Sequence, residues 1–168
     1  MLRKDLVVAP ALEAALIAVV ALAGWAMHQP LVFASLGPTA YEMIETPERR
    51  SARPYNIIMG HAIGVAAGFA VLWMVKAWAS PEISQHGVPL SRVWTAALAT
   101  MLTVFGTLLL NATQPAEIST TLLIALGVMQ TAKDGIVIMA AVLVMTALGE
   151  PVRRLRLKAS QDPARGRL

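Results

Sequence analysis

Apolar positions along the chain gather into four long blocks. Residues 6–27 are apolar except mainly for Glu13, and residues 57–78 hold His61 and Lys76. Residues 93–110 carry no charge, and neither does the shorter block 135–148. A hydrocarbon core about 30 Å thick needs roughly 20 apolar helical residues. The first three blocks meet that length or nearly do. The fourth must recruit flanking residues or sit in thinner bilayer. Backbone groups in lipid have to bond internally, so each block predicts a transmembrane helix.

Two shorter stretches lie between them, at 30–44 (PLVFASLGPTAYEMI) and 115–128 (PAEISTTLLIALGV). Both are too apolar for plain loops. As helices of about 14 residues they would reach only ~21 Å. They are expected as re-entrant or broken helices, with Gly37-Pro38 breaking the first, because proline lacks an N–H and disfavours a helical predecessor. Irregular backbone at membrane depth needs protein cover or a wet cavity.

The order is thus span, short segment, span, and the same again. Gln29-Pro30 and Gln114-Pro115 each open a short segment just after a full span. Such weak internal duplication is frequent in transporters, where interrupted segments mark the substrate site. The fold class that follows is all-α. It is a polytopic membrane bundle of about four transmembrane helices plus two short re-entrant or broken helices, with an internal two-fold repeat. Residues 1–158 form one transmembrane domain, and 159–168 a polar basic tail.

Composition agrees. Hydrophobic residues make up 57% of the 168, charged residues 14%, and the mean hydropathy is +0.62. Soluble domains carry about a quarter charged residues. The chain has no cysteine, which excludes disulfides, Fe–S clusters and thiolate zinc sites. Arg3, Lys4 and the run that follows imitate a signal peptide, but Glu13 interrupts the run and similar runs recur, so a permanent span is expected. Arg153, Arg154, Arg156, Lys158, Arg165 and Arg167 crowd the C-terminus directly after an apolar block. That placement suits anionic lipid headgroups rather than nucleic acid.

The basic residues allow two topologies. With four crossings and cytoplasmic termini, Arg3, Lys4, Lys76, Arg92 and the C-terminal cluster lie inside, while Arg49, Arg50, Arg53 and Lys133 lie outside. Six crossings would bring Arg49, Arg50 and Arg53 inside and invert the two halves. The lengths of the short segments favour four. Gly60, Gly64 and Gly68 form a doubled GxxxG stripe, expected to admit another helix of the same chain.

Candidate chemistry concentrates in the short segments. A helix start exposes unpaired N–H groups and the positive end of its dipole, and inside a membrane cavity it is a natural anion site. Pro38 and Pro115 suit the first helical position. Ser35 and Thr39 stand beside one start; Thr113, Ser119, Thr120 and Thr121 stand beside the other. The alternative for any one hydroxyl is capping or bonding a backbone carbonyl. Glu117 can cap its own helix; as an intramembrane acid it could instead take up a proton, since burial would raise its pKa. His61 is expected to bond a neighbouring helix, Asn56 to cap its span or face a cavity mouth, and Glu13 to snorkel. The histidines lack metal-ligand spacing, and there is no GxSxG, Walker or dinucleotide motif. No cofactor and no enzymatic activity is expected.

Three stretches resemble the HPP family of small integral membrane proteins, over about residues 12–150. Ser35-Leu36-Gly37-Pro38-Thr39-Ala40 looks like that family's Ser-x-Gly-x-Ser-Ala element. Pro54-Tyr55-Asn56-Ile57-Ile58-Met59-Gly60-His61 is similar to its Pro-x-Asn-x-x-x-Gly-His element. Thr113-Gln114-Pro115-Ala116-Glu117-Ile118-Ser119 falls where the family carries His-Pro-Pro-Ala-Gly-Ala-Thr. The namesake His-Pro-Pro is not kept, and Glu117 replaces a glycine. Some plant and cyanobacterial members are associated with nitrite transport. The resemblance therefore implies a membrane transporter or channel for a small inorganic anion, and carries over Ser35, Gly37, Asn56, Gly60, His61, Pro115 and Ser119 as substrate-binding positions. Thr39 and Glu117 join them from the reading of the residues.

The alternative function is a non-transporting membrane scaffold or accessory subunit, supported by the glycine stripe and the altered motif. A third is cation or proton permeation through Glu117. Expected partners are the lipid bilayer, a small inorganic anion and a second copy of the chain, since so small a bundle has little room for a private pore. No nucleic-acid partner is expected. The expected location is a bacterial inner membrane, there being no transit segment.

Overall fold

The computed structural model describes residues 5–81, 83 and 87–160. Arg3, Lys4, Arg165 and Arg167 lie outside the described residues. The described chain is all-helical: α1 (Asp5–Ala26), α2 (Leu36–Glu45), α3 (Pro54–Met74), α4 (Leu90–Leu109), α5 (Ala116–Ala125) and α6 (Ala132–Ser160), with 3-10 turns at Arg50–Ala52 and Ala77–Ala79. Helices α1, α3, α4 and α6 are long and apolar enough to cross a membrane. The short fourth block has recruited residues on both sides to become the longest helix. Its start is fixed by a reciprocal cap: the Thr131 N–H donates to Asp134 Oδ2 (2.8 Å), and the Asp134 N–H to Thr131 Oγ1 (3.2 Å).

Helix ends follow local chemistry. Pro54 opens α3, where a missing N–H costs nothing. Left-handed residues stop the helices: His28 after α1, Lys76 after α3, Asn111 after α4 and Gly127 after α5. Contrary to the expectation from sequence, Gly37 and Pro38 do not break the first short segment. They lie in the first turn of α2, where proline is tolerated, and the helix begins around them. The non-helical part of that segment is the stretch before them.

Contacts between helix ends fix the direction of each element. Arg156 Nε of α6 donates to the Ile44 carbonyl at the end of α2 (3.1 Å), and Arg153 Nη1 donates to the Pro47 carbonyl (2.7 Å). Helices α2 and α6 therefore finish at the same end of the bundle. Helix α3 starts there, and α4 finishes there: Tyr55 Oη donates to the Leu110 carbonyl (3.0 Å). At the opposite end, Arg92 of α4 donates to the Ala125 carbonyl at the end of α5 (3.1 Å) and to Gln130 Oε1 just before α6 (2.9 Å).

The chain thus runs the length of the bundle six times, four times as a full helix and twice as a short helix with a non-helical lead-in. This corrects the preferred placement of the basic residues. Arg49, Arg50 and Arg53 share an end with Arg153, Arg154 and Arg156, and Lys76, Arg92 and Lys133 share the other. The reason lies in the lead-ins. A ten-residue helix is only about 15 Å long, but non-helical backbone covers up to ~3.3 Å per residue. Residues 27–35 and 110–115 supply the missing length.

Neighbour relations are unchanged when the halves are exchanged (α1 for α4, α2 for α5, α3 for α6). Helix α5 packs on α3, and α2 on α6. Helix α4 packs on α3, and α1 on α6. The α4–α5 and α1–α2 contacts correspond, and α3–α6 and α2–α5 map onto themselves. Because the halves run in opposite senses, this is the pattern of an inverted repeat. Helices α3 and α6 are the inner pair, while α1 and α4 turn large apolar side chains such as Leu22, Trp25, Met101 and Phe105 outward. The main core joins α1, α2, α3 and α6 through Leu16, Val20, Met43, Ile57, Ile138 and Met145.

The glycine stripe of α3 is filled from within the chain. A Cβ on Gly60 would collide with Glu117 Oε2, one on Gly64 would come to 2.8 Å from the Glu117 carbonyl, and one on Gly68 to 3.0 Å from Ile124 Cβ. Small residues here let α5 lie against the α3 backbone.

Candidate functional site

Helices α2 and α5 run antiparallel, and their starts meet through buried side chains. Ser35 holds the N-cap position of α2, and its Oγ accepts a hydrogen bond from Thr120 Oγ1 (2.8 Å). Thr39 Oγ1 donates back to the Ser35 carbonyl (2.9 Å) and accepts from Gln114 Nε2 (3.3 Å). Ser35, Thr39, Gln114 and Thr120 are all buried. A second strip of hydroxyls extends toward α4, where Thr95, Thr103 and Thr107 share one buried face at helical spacing. Thr103 and Thr121 bond each other (2.8 Å), and Thr121 also donates to the Glu117 and Gly64 carbonyls. The seam between the short helices is polar through the middle of an otherwise apolar bundle.

Asn56 of α3 anchors the lead-in to α5. Its Nδ2 donates to the Thr113 carbonyl (3.1 Å) and the Asn111 carbonyl (3.4 Å). These bonds satisfy backbone oxygens that no helix serves. Glu117 stands in the first turn of α5, 3% exposed, and its Oε2 accepts the Gln114 N–H (3.0 Å). The carboxyl thus bonds back to the residue just before the N-cap Pro115. His61 is fully buried, and its Nδ1–H donates to the Ile57 carbonyl (2.8 Å). That bond fixes the tautomer, so Nε2 is a lone-pair acceptor, and it has no partner.

A cleft of about 400 Å³ reaches the seam from the end of the bundle that carries Arg49 and Arg50. Its walls include Glu42 of α2, Arg49 and Ser51 of the connection, Thr107 of α4, and Gln114 and Glu117. Glu42 is 8% exposed. The buried side-chain atoms without a hydrogen-bond partner, among the described residues, are Glu42 Oε2, His61 Nε2 and Gln114 Oε1. All three are acceptors.

The candidate residues separate into groups. Ser35, Thr39 and Glu117 belong to the seam, and Pro115 and Glu117 line the cleft. Gly60 admits the Glu117 carboxyl, while Asn56 and His61 support from α3. Gly37 is half-buried with open space around it: a Cβ there would meet nothing within 4 Å. Ser119 is half-buried and makes no side-chain hydrogen bond; Thr120 and Thr121 occupy the buried positions instead. Sequence reasoning missed Glu42, Gln114 and the α4 threonines. Glu42 is the only charge inside segment 30–44. An ionisable residue in such a segment is itself a signal of function.

Among the described residues no three or more His, Cys, Asp or Glu side chains gather as metal ligands. Residues 3–156 match the family model described as HPP, transmembrane region. No curated protein and no solved structure matches the chain.

Proposed function

The chain belongs to the HPP transmembrane family and is an integral membrane protein, and we propose that it carries a small inorganic anion such as nitrite across the bilayer. The observation behind this reading is the buried polar seam where the two short helices meet. Hydroxyls of Ser35, Thr39 and Thr120 line it, and helix starts bring their positive dipole ends to it. Hydroxyl and amide groups of this kind replace part of an anion's water shell. Arg49 at the cleft mouth adds an attracting charge.

The positive-inside rule would put the end bearing Arg49, Arg50, Arg53 and the Arg153–Arg156 group on the cytoplasmic face, with the cleft opening there. A bacterial inner membrane suits that orientation. The scaffold reading loses one of its supports, because α5 already occupies the glycine stripe of α3.

Purified protein in liposomes should take up nitrite faster than protein-free liposomes do. The reading fails if nitrite, nitrate, chloride and formate all remain at the background rate from mildly acidic to mildly alkaline pH. A cysteine at Thr39 in this cysteine-free chain should react with a water-soluble thiol reagent; a scaffold would leave it unlabelled from both sides.

A further inference from the structure

The cleft between α2, α4 and α5 holds more negative charge than its lining neutralises. Glu42 and Glu117 both line it and are more than nine-tenths buried. They lie near enough to repel each other. Gln114 sits between the two helices, 1% exposed, with Oε1 unpartnered. Glu42 Oε2, also in the cleft wall, has no partner either.

The surrounding charged groups do not close this balance. Among the described residues Arg49, exposed at the mouth, is the one cation in the lining. Helix α4 contributes Thr107 to the lining, and its residues 93–109 include no ionisable side chain. Helix α3 contributes His61, whose one N–H is spent on Ile57. Helix α6 reaches the end of α2 through Arg153 and Arg156, which bond the Pro47 and Ile44 carbonyls. Glu13 of α1 interacts with Glu45 at the end of α2. The cleft therefore holds two carboxyls and a bare amide oxygen against one exposed guanidinium. Ser51 and Gln114 stand against the Glu42 carboxyl and Thr107 against that of Glu117, yet Glu42 Oε2 and Gln114 Oε1 still want a donor. The cleft is also one positive charge short, and an unpaired buried carboxylate is costly.

A proton supplies both. Resting on the transport reading above, we propose that Glu42, Gln114 and Glu117 form a proton-loading site, so that each anion crosses with one proton. The proton comes from the water in the cleft and is shared by the two carboxyls, and no bond to the anion is made or broken. A loaded cleft, with Arg49, is neutral and admits an anion. An unloaded cleft carries net negative charge and repels it. Uptake therefore rises as pH falls and is lost as pH rises and the site empties.

Two measurements test this. Liposomes with a pH-sensitive dye inside should acidify by one proton for each nitrite taken up, above the leak of protein-free liposomes. Nitrite flux without proton uptake, or flux that needs sodium instead, overturns the proposal. Infrared titration of the reconstituted protein, with no solute added, should show a protonated carboxyl band at neutral pH. The band should be lost in Glu42→Gln or Glu117→Gln protein that still elutes as a single species. A band unchanged in both variants overturns the proposal; if the variants do not fold, the wild-type stoichiometry decides it. If no anion moves at all, the transport reading has failed, and the infrared band alone decides whether the proton site exists.

Discussion

Two glycines that sequence alone treats alike have opposite surroundings. At Gly60 a methyl group would strike the Glu117 carboxyl and lie 3.0 Å from the Ala112 carbonyl, which is backbone and cannot turn away. Gly60→Ala should lower stability in detergent by about 1–3 kcal/mol, seen as earlier loss of the monodisperse peak on heating. Gly37→Ala should be tolerated, because the space beside it is empty and alanine favours helix by up to ~1 kcal/mol. At the seam, Thr120→Val keeps the shape but removes the donor to Ser35. It should cost about 1 kcal/mol in the same assay and slow nitrite uptake.

Individual residues were only partly legible. Glu117 is legible as a charge in apolar surroundings, whereas Asn56 and Gly60 enter the site by resemblance to the family. Resemblance favours Ser119 over its neighbours, but helical geometry turns Thr120 and Thr121 inward. A sequence read without the angle between α5 and its neighbours does not distinguish three adjacent hydroxyls.

For the short elements, what holds the far end is as important as what lies at the start. The end of α5 leaves backbone carbonyls without helical partners. Arg92, fully buried, donates to the Ala125 carbonyl, to the Ser80 carbonyl (2.7 Å) and to Gln130 Oε1. A guanidinium also matches the negative end of the helix dipole. Arg92→Met removes these bonds while keeping some bulk, and should cost on the order of 3 kcal/mol, read as a lower unfolding temperature. Sequence reading placed Arg92 as an ordinary charge at the membrane surface, since nothing in its local pattern shows a helix end thirty-odd residues later folding back onto it. The four long helices, by contrast, were legible, because burial in lipid imposes a length and composition that no tertiary contact is needed to reveal.

At the scale of the molecule, the six passages of the chain set which loops share a side. The cysteine-free sequence makes this directly testable. Arg50→Cys and Lys158→Cys should react with a membrane-impermeant thiol reagent from one side, and Lys133→Cys from the other. The order span, short segment, span is legible in both halves, but counting helical rise alone hides the return passages. Non-helical backbone can cover up to about twice the distance per residue, and the contacts of Arg153 and Arg156 with the end of α2 show where it finishes.

The short helix of each half rests on the inner helix of the other: α5 on α3, and α2 on α6. A polypeptide ending after α3 would expose its glycine stripe to lipid and leave α2 without its bed. Its nearest remedy would be a twin inserted upside down. Fusing two such twins head to tail would produce the arrangement seen here, with opposed orientations made permanent by the peptide that joins them.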